Sequence, residues 1–109
     1  MDLENNKAQM RKGILEYCIL SVLSGNSCYA SDIIKELKEA KVIVVEGTLY
    51  PLLTRLKNSG LLSYRWEESL QGPPRKYYEL TEEGTNFLKE MGSSWDELVD
   101  AVRMIKEHK

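Results

Sequence analysis

A mainly α-helical fold carrying one β-hairpin and ending in a long helix follows from three features of this sequence. Apolar residues recur at three- and four-residue spacing in three early segments, the spacing changes to two between Leu62 and Leu80, and a helical pattern returns from Thr81 onward. At 109 residues there is room for one compact core plus one further helix used for assembly. The expected division is residues 1–80 as the core domain and residues 81–109 as the assembly helix.

The first helix is predicted from about Asn5 to Ser24, with Ile14, Leu15, Cys18, Ile19, Val22 and Leu23 on one face. Gly25-Asn26-Ser27 breaks it. A second helix opens at Ser31, beside Asp32, and runs to about Lys41; Ile33, Ile34, Leu37 and Ala40 form its inner stripe. Val42-Ile43-Val44-Val45 is a β-branched run suited to a brief strand or an extended connector. Glu46-Gly47-Thr48 opens a third helix that Asn58-Ser59-Gly60 closes. Leu49, Leu52, Leu53 and Leu56 stand at i, i+3, i+4 and i+7, and Pro51 falls near the start, where a lost backbone donor matters least.

In the next segment Leu62, Tyr64 and Trp66 alternate with Ser63, Arg65 and Glu67. After Ser69-Leu70-Gln71-Gly72-Pro73-Pro74, Lys76, Tyr78 and Leu80 alternate with Arg75, Tyr77 and Glu79. Two such runs around a Gly/Pro-rich loop make a hairpin. Thr81-Glu82-Glu83 is a helix start, a hydroxyl cap followed by acids that suit the positive end of the helix dipole. Gly92-Ser93-Ser94 is the point at which this last helix can kink. The order helix, helix, short strand, helix, hairpin, helix is that of a winged helix-turn-helix with an added C-terminal helix.

Charge has to be read locally. The net charge is −2, yet residues 1–80 carry 11 Lys/Arg against 10 Asp/Glu and residues 81–109 carry 4 against 7, so the acidic excess lies in the tail. The outward positions of the third helix, taken as residues 47–58, are Thr48, Tyr50, Thr54, Arg55, Lys57 and Asn58. Arginine pairs with guanine and asparagine with adenine in the major groove, and threonine can meet phosphate or the thymine methyl group. An ordinary solvated helix face also holds Lys, Arg and Thr. The two are separated by the absence of any Asp or Glu from residues 47–60 in a chain with 17 acids, which is expected beside phosphates.

Gln71, Arg75 and Lys76, at the hairpin tip and early return strand, are candidates for phosphate or minor-groove contact. Lys7, Arg11 and Lys12 form a further basic cluster that a solvated face explains equally well. A competing reading, a winged-helix protein-interaction module without DNA binding, requires acidic or apolar outward positions, which Thr54, Arg55, Lys57 and Asn58 are not.

Catalysis has little to stand on. The one histidine is His108, there is no glycine-rich phosphate loop, and Cys18 and Cys28 form neither a CxxC pair nor a zinc cluster, so no cofactor and no metal are expected. Cys18 lies on the apolar stripe; Cys28, near a helix start, is the better candidate for a redox thiol. No apolar run approaches the roughly 20 residues that span a bilayer, and MDLENNKAQMRKG does not read as a secretory signal, so a cytoplasmic protein is expected.

Two segments carry a resemblance. Gly47-Thr48-Leu49-Tyr50-Pro51-Leu52-Leu53-x-Arg55-Leu56-x-x-x-Gly60-Leu61-Leu62, followed by Arg75-Lys76-Tyr77-Tyr78-x-Leu80-Thr81-x-x-Gly84, resembles the PadR family of bacterial transcriptional regulators, over about residues 10–107. The single C-terminal helix is similar to the short branch of that family, which includes multidrug-sensing repressors. The resemblance implies a homodimer with exchanged terminal helices, a palindromic double-stranded operator, and repression relieved by ligand or stress. Ser94-Trp95-x-x-Leu98-Val99 is similar to the tryptophan-bearing helix of the drug-sensing members. It implies Trp95 as a stacking platform for planar aromatic compounds, with Ile14, Tyr17, Met91 and Val99 as walls. Gly92 stands where those relatives place a large aromatic residue, which implies a differently shaped or bent pore. On spacing alone, Leu88, Met91, Trp95, Leu98, Val102 and Ile105 form the stripe of a dimer interface.

Overall fold

A computed structural model of the chain describes residues 1–108. Its elements are α1 (Leu3–Val22), β1 (Cys28–Tyr29), α2 (Ala30–Glu39), α3 (Glu46–Asn58), β2 (Leu62–Ser69), β3 (Gly72–Leu80) and α4 (Glu82–Glu107). This is the winged helix-turn-helix order with a long terminal helix. Ile19, Leu20 and Leu23 of α1 meet Ile33 of α2 and Leu49 and Leu53 of α3 in the fully buried centre. Leu62 and Tyr78 of the sheet close that core from below.

The start of α1 lies two residues before the expected Asn5, because the Asp2 carboxylate accepts the backbone N–H groups of Glu4 and Asn5. β1 has no counterpart in the sequence reading. It is two residues long and pairs antiparallel with β3, Cys28 against Tyr78 and Tyr29 against Tyr77, giving the sheet order β1-β3-β2. Consequently α2 opens at Ala30, not at Ser31: Tyr29 holds the cap position, and its N–H donates to the Asp32 carboxylate at 3.1 Å.

Val42–Val45 is the extended connector and not a strand. Only Val44 is fully buried, while Ile43 and Val45 face outward, so the β-branched run anchors the loop between α2 and α3 without a neighbour to pair with. Pro51 is the sixth residue of α3, deeper than expected. Its missing donor leaves the carbonyl of Gly47 without a helical partner at a point where both residues are exposed.

The hairpin also departs from expectation. Only Leu70 and Gln71 form its turn; Gly72, Pro73 and Pro74 belong to β3. Ser69 pairs with Gly72 and Glu67 with Arg75, so two prolines oppose the single Glu68 across an irregularity. Proline cannot donate to a ladder and is tolerated at such a bulge, where β3 has no partner on its other side. The alternation is as read: Leu62, Tyr64 and Trp66 pair with Leu80, Tyr78 and Lys76 on the inner face.

Helix α4 runs unbroken through Gly92-Ser93-Ser94. The Thr81 hydroxyl accepts the N–H of Gly84 at 2.9 Å and donates to the carbonyl of Gly60 at 2.6 Å, tying the helix start to the end of α3. Beyond Met91 the helix leaves the core. The radius of gyration is 16.1 Å, against about 13 Å for a compact domain of this length.

Candidate nucleic-acid interface

The exposed side chains of α3 fall along two edges. Tyr50, Thr54 and Lys57, spaced four and three residues apart, run along the edge that faces the hairpin. Asn58 lies on the exposed front between the edges. Thr48 and Arg55, seven residues apart, run along the opposite edge, where the Arg55 guanidinium meets the Glu16 carboxylate of α1 at 2.9 Å. The sequence reading placed Arg55 free on the groove-facing surface; in the folded chain it is ion-paired sideways to a residue 39 positions earlier.

A groove of about 470 Å³ separates the hairpin edge of α3 from the wing. Tyr50 and Thr54 stand on one wall; Trp66, Arg75 and Lys76 stand on the other. Gln71 is exposed at the turn itself. Arg75 is not at the tip. Its guanidinium lies 3.9 Å from the centroid of the Tyr29 ring and donates to the Ser31 hydroxyl, so it clips the wing to the start of α2. On the outer face of the sheet, Tyr29 packs edge-on to Tyr77 at 4.8 Å and donates its hydroxyl to Glu67 at 3.0 Å. That bond raises the Tyr29 phenol above its ordinary pKa. Arg65 bridges Glu67 and Glu79, and Ser27 also donates to Glu79. These contacts hold the wing against β1 and the start of α2.

Trp66, Ser31 and Glu46 line this groove and were missed by sequence reading. The signal for Trp66 was available: strand alternation puts it on the same face as Lys76.

A second hollow lies between α1 and α4. Ile14, Tyr17, Met91, Trp95 and Leu98 line about 410 Å³, with the Tyr17 and Trp95 rings 6.4 Å apart and tilted by 41°. Val99, expected on the same wall, instead lines a separate hollow with Val102 on the far side of Trp95. The absence of a side chain at Gly92 leaves room for Tyr17, whose hydroxyl would stand 3.5 Å from an added Cβ. Of the expected dimer stripe, Leu88 and Met91 pack half-buried on the chain's own core. Trp95, Leu98, Val102 and Ile105 continue along α4 in solvent, Ile105 being 70% exposed.

Cys28 is buried, and burial together with the nearby Glu36 and Asp32 carboxylates raises its thiol pKa. Burial first, and the carboxylates second, thus oppose the thiolate that a helix start would favour. Among the described residues no cluster of His, Cys, Asp or Glu is arranged to hold a metal, and no helix is long and apolar enough to cross a membrane.

Comparison with known proteins bears on this arrangement directly. Residues 19–90 match the transcriptional regulator PadR-like family. The chain is 65% identical to a PadR-like transcription factor of Bacteroides fragilis, with 93% of this chain and 98% of that one covered and a TM-score of 0.79. It is 33% identical to a PadR-family transcriptional regulator of Eggerthella lenta, covering 98% and 94% with a TM-score of 0.91. Bacillus subtilis PadR, solved in complex with operator DNA, superposes on 72% of this chain and 46% of its own at 26% identity and a TM-score of 0.67. The members of this family are regulators and not enzymes. With a match spanning well over half of its residues, this chain belongs to the PadR-like family and is a DNA-binding transcriptional regulator.

Proposed function

We propose that this chain is a homodimeric repressor that binds a palindromic operator through α3 and the wing, acting in the cytoplasm, where bacterial DNA resides. The single observation that carries the reading is the acid-free stretch 47–60, whose exposed edge faces a wing wall carrying Arg75 and Lys76. In this reading Thr54 and Asn58 address base edges, while Tyr50, Lys57 and Lys76 meet the sugar-phosphate backbone. Gln71 reaches the minor groove from the turn. Thr48 contacts phosphate on the far edge, and Arg75 holds the wing in register. Arg55 joins the readout by exchanging the Glu16 carboxylate for a guanine or a phosphate.

Dimerisation is supported by the run Trp95, Leu98, Val102 and Ile105, exposed at helical spacing on a segment that projects beyond the core. A planar aromatic effector would lie between α1 and α4 against Trp95, walled by Ile14, Tyr17 and Met91. Val99 would serve the same pore only from the partner's side. Relief of repression would follow if the ligand changed the spacing of the two recognition helices.

The test is selection of duplexes from a random-sequence pool by the purified protein, followed by sedimentation of the complex. Enrichment of inverted repeats bound by two chains supports the reading; failure to retain any duplex at low salt overturns it.

A further inference from the structure

Trp66 has no core to belong to. It lies on the inner face of β2, after Leu62 and Tyr64, but is 61% exposed, high for the largest apolar side chain. Its ring meets Tyr64 edge-on, at 6.1 Å and 89°. Its cross-strand partner Lys76 places an ammonium 5.4 Å from the indole and 4.5 Å from the Tyr64 ring. From α3, Lys57 reaches the same Tyr64 ring at 5.7 Å.

Two ammonium groups thus converge on one aromatic platform from different elements, and among the described residues neither makes an ion pair. Ring quadrupoles offset part of their mutual repulsion, leaving a positive potential at the groove. The facing wall supplies the side chains of Tyr50 and Thr54, and Glu46 is the one carboxylate among the groove-lining residues. A flat apolar wall beside cations, opposite hydroxyls, complements a polymer that alternates an apolar sugar face with an anion.

Resting on the DNA-binding reading above, we propose that Trp66 packs its indole against a deoxyribose of the strand lying between α3 and the wing, while Lys76 and Lys57 hold the flanking phosphates. Trp66 is then a backbone-positioning residue that sets how deeply α3 enters the groove.

The probe is a labelled duplex enriched from a random pool by the wild-type protein. Trp66→Leu is expected to lower its affinity about tenfold, as loss of an aromatic contact to nucleic acid does, with an unchanged salt dependence. Lys76→Met is expected to flatten the slope of log K against log salt by about one. Hydroxyl-radical cleavage should show wing-side deoxyriboses protected by wild type and by Trp66→Phe but open in the Trp66→Leu complex. Wild-type affinity and footprint in a folded Trp66→Leu overturn the proposal while leaving the DNA-binding reading intact. A wild-type protein that enriches no duplex overturns that reading, and the proposal with it. Should Trp66→Leu fail to fold, the Trp66 indole N–H resonance, identified by its loss in Trp66→Phe, decides: a shift on adding duplex supports the contact, and no shift overturns it.

Discussion

At Gly84 the first turn of α4 has no room for a side chain: a Cβ would be driven into the backbone carbonyl of Leu61 and against Leu80. Neither the carbonyl nor a helix start tied down by Thr81 can yield cheaply, so Gly84→Ala should destabilise the fold by about 2 kcal/mol, within the range of overpacking, as read by urea unfolding. Lys41 presents the opposite case. It ends α2 with φ 67°, while Val42 donates to the Leu37 carbonyl at 2.8 Å. That is the Schellman closure, built with a residue that carries a left-handed penalty. Lys41→Gly should therefore stabilise the chain by about 1 kcal/mol and raise its midpoint by several degrees. In the proposed readout, the Arg55–Glu16 ion pair competes with nucleic acid. An exposed pair contributes only about 0–1 kcal/mol, so Glu16→Gln should strengthen duplex binding by a few-fold, whereas Arg55→Ala should weaken it with sedimentation of the free protein unchanged. Unchanged affinity in both variants would remove Arg55 from the readout.

At the scale of elements, α3 is an amphipathic helix whose inner and outer faces were both legible in the sequence, but not the direction in which each outward residue points. Leu49, Leu53 and Leu56 are buried as their spacing requires. Which outward residues face the wing depends on how the helix is rotated against β2 and β3, and no pattern within α3 encodes that. The wing shows the same division. Period-two alternation locates the strands and their inner face but not the width of the turn: Pro73 and Pro74, loop residues by composition, form a bulge on an unpaired edge. Two-residue β1 was invisible for a related reason: it exists only because Tyr77 and Tyr78 offer it a partner. Clipping by Arg75 gives the element its own prediction. Arg75→Ala should release the wing from α2, seen as faster backbone motion in β2 and β3 by relaxation measurements, and should weaken duplex binding more than loss of one phosphate contact would.

For the whole molecule, the decisive fact is that α4 extends well past its own core, giving a longest dimension of 60 Å. Trp95, Leu98, Val102 and Ile105 then leave an apolar surface that a second chain would cover. If the proposed dimer forms across this surface, Val102→Glu with Ile105→Glu should yield a folded monomer by sedimentation and cost most of the operator affinity, because two half-sites would no longer be joined. Trp95→Ala tests the adjoining hollow separately. Loss of dye-induced quenching of indole fluorescence with the dimer retained would mark a ligand platform, and retained quenching would assign Trp95 to packing alone.

By itself the sequence determined the succession of helices and hairpin, the leucine face of α3, the glycine stop at Gly60 and the acid-free stretch 47–60. The first three arise from neighbours within about four positions along the chain, where helix and strand periodicity act, and the last from composition alone. Only the tertiary structure decided that Arg55 turns to Glu16, that Val99 parts from Ile14 and Tyr17 around Trp95, and that Trp66 stands opposite Tyr50 and Thr54. These are meetings between residues far apart in the chain, set by how the helices and sheet pack, and no local spacing records them.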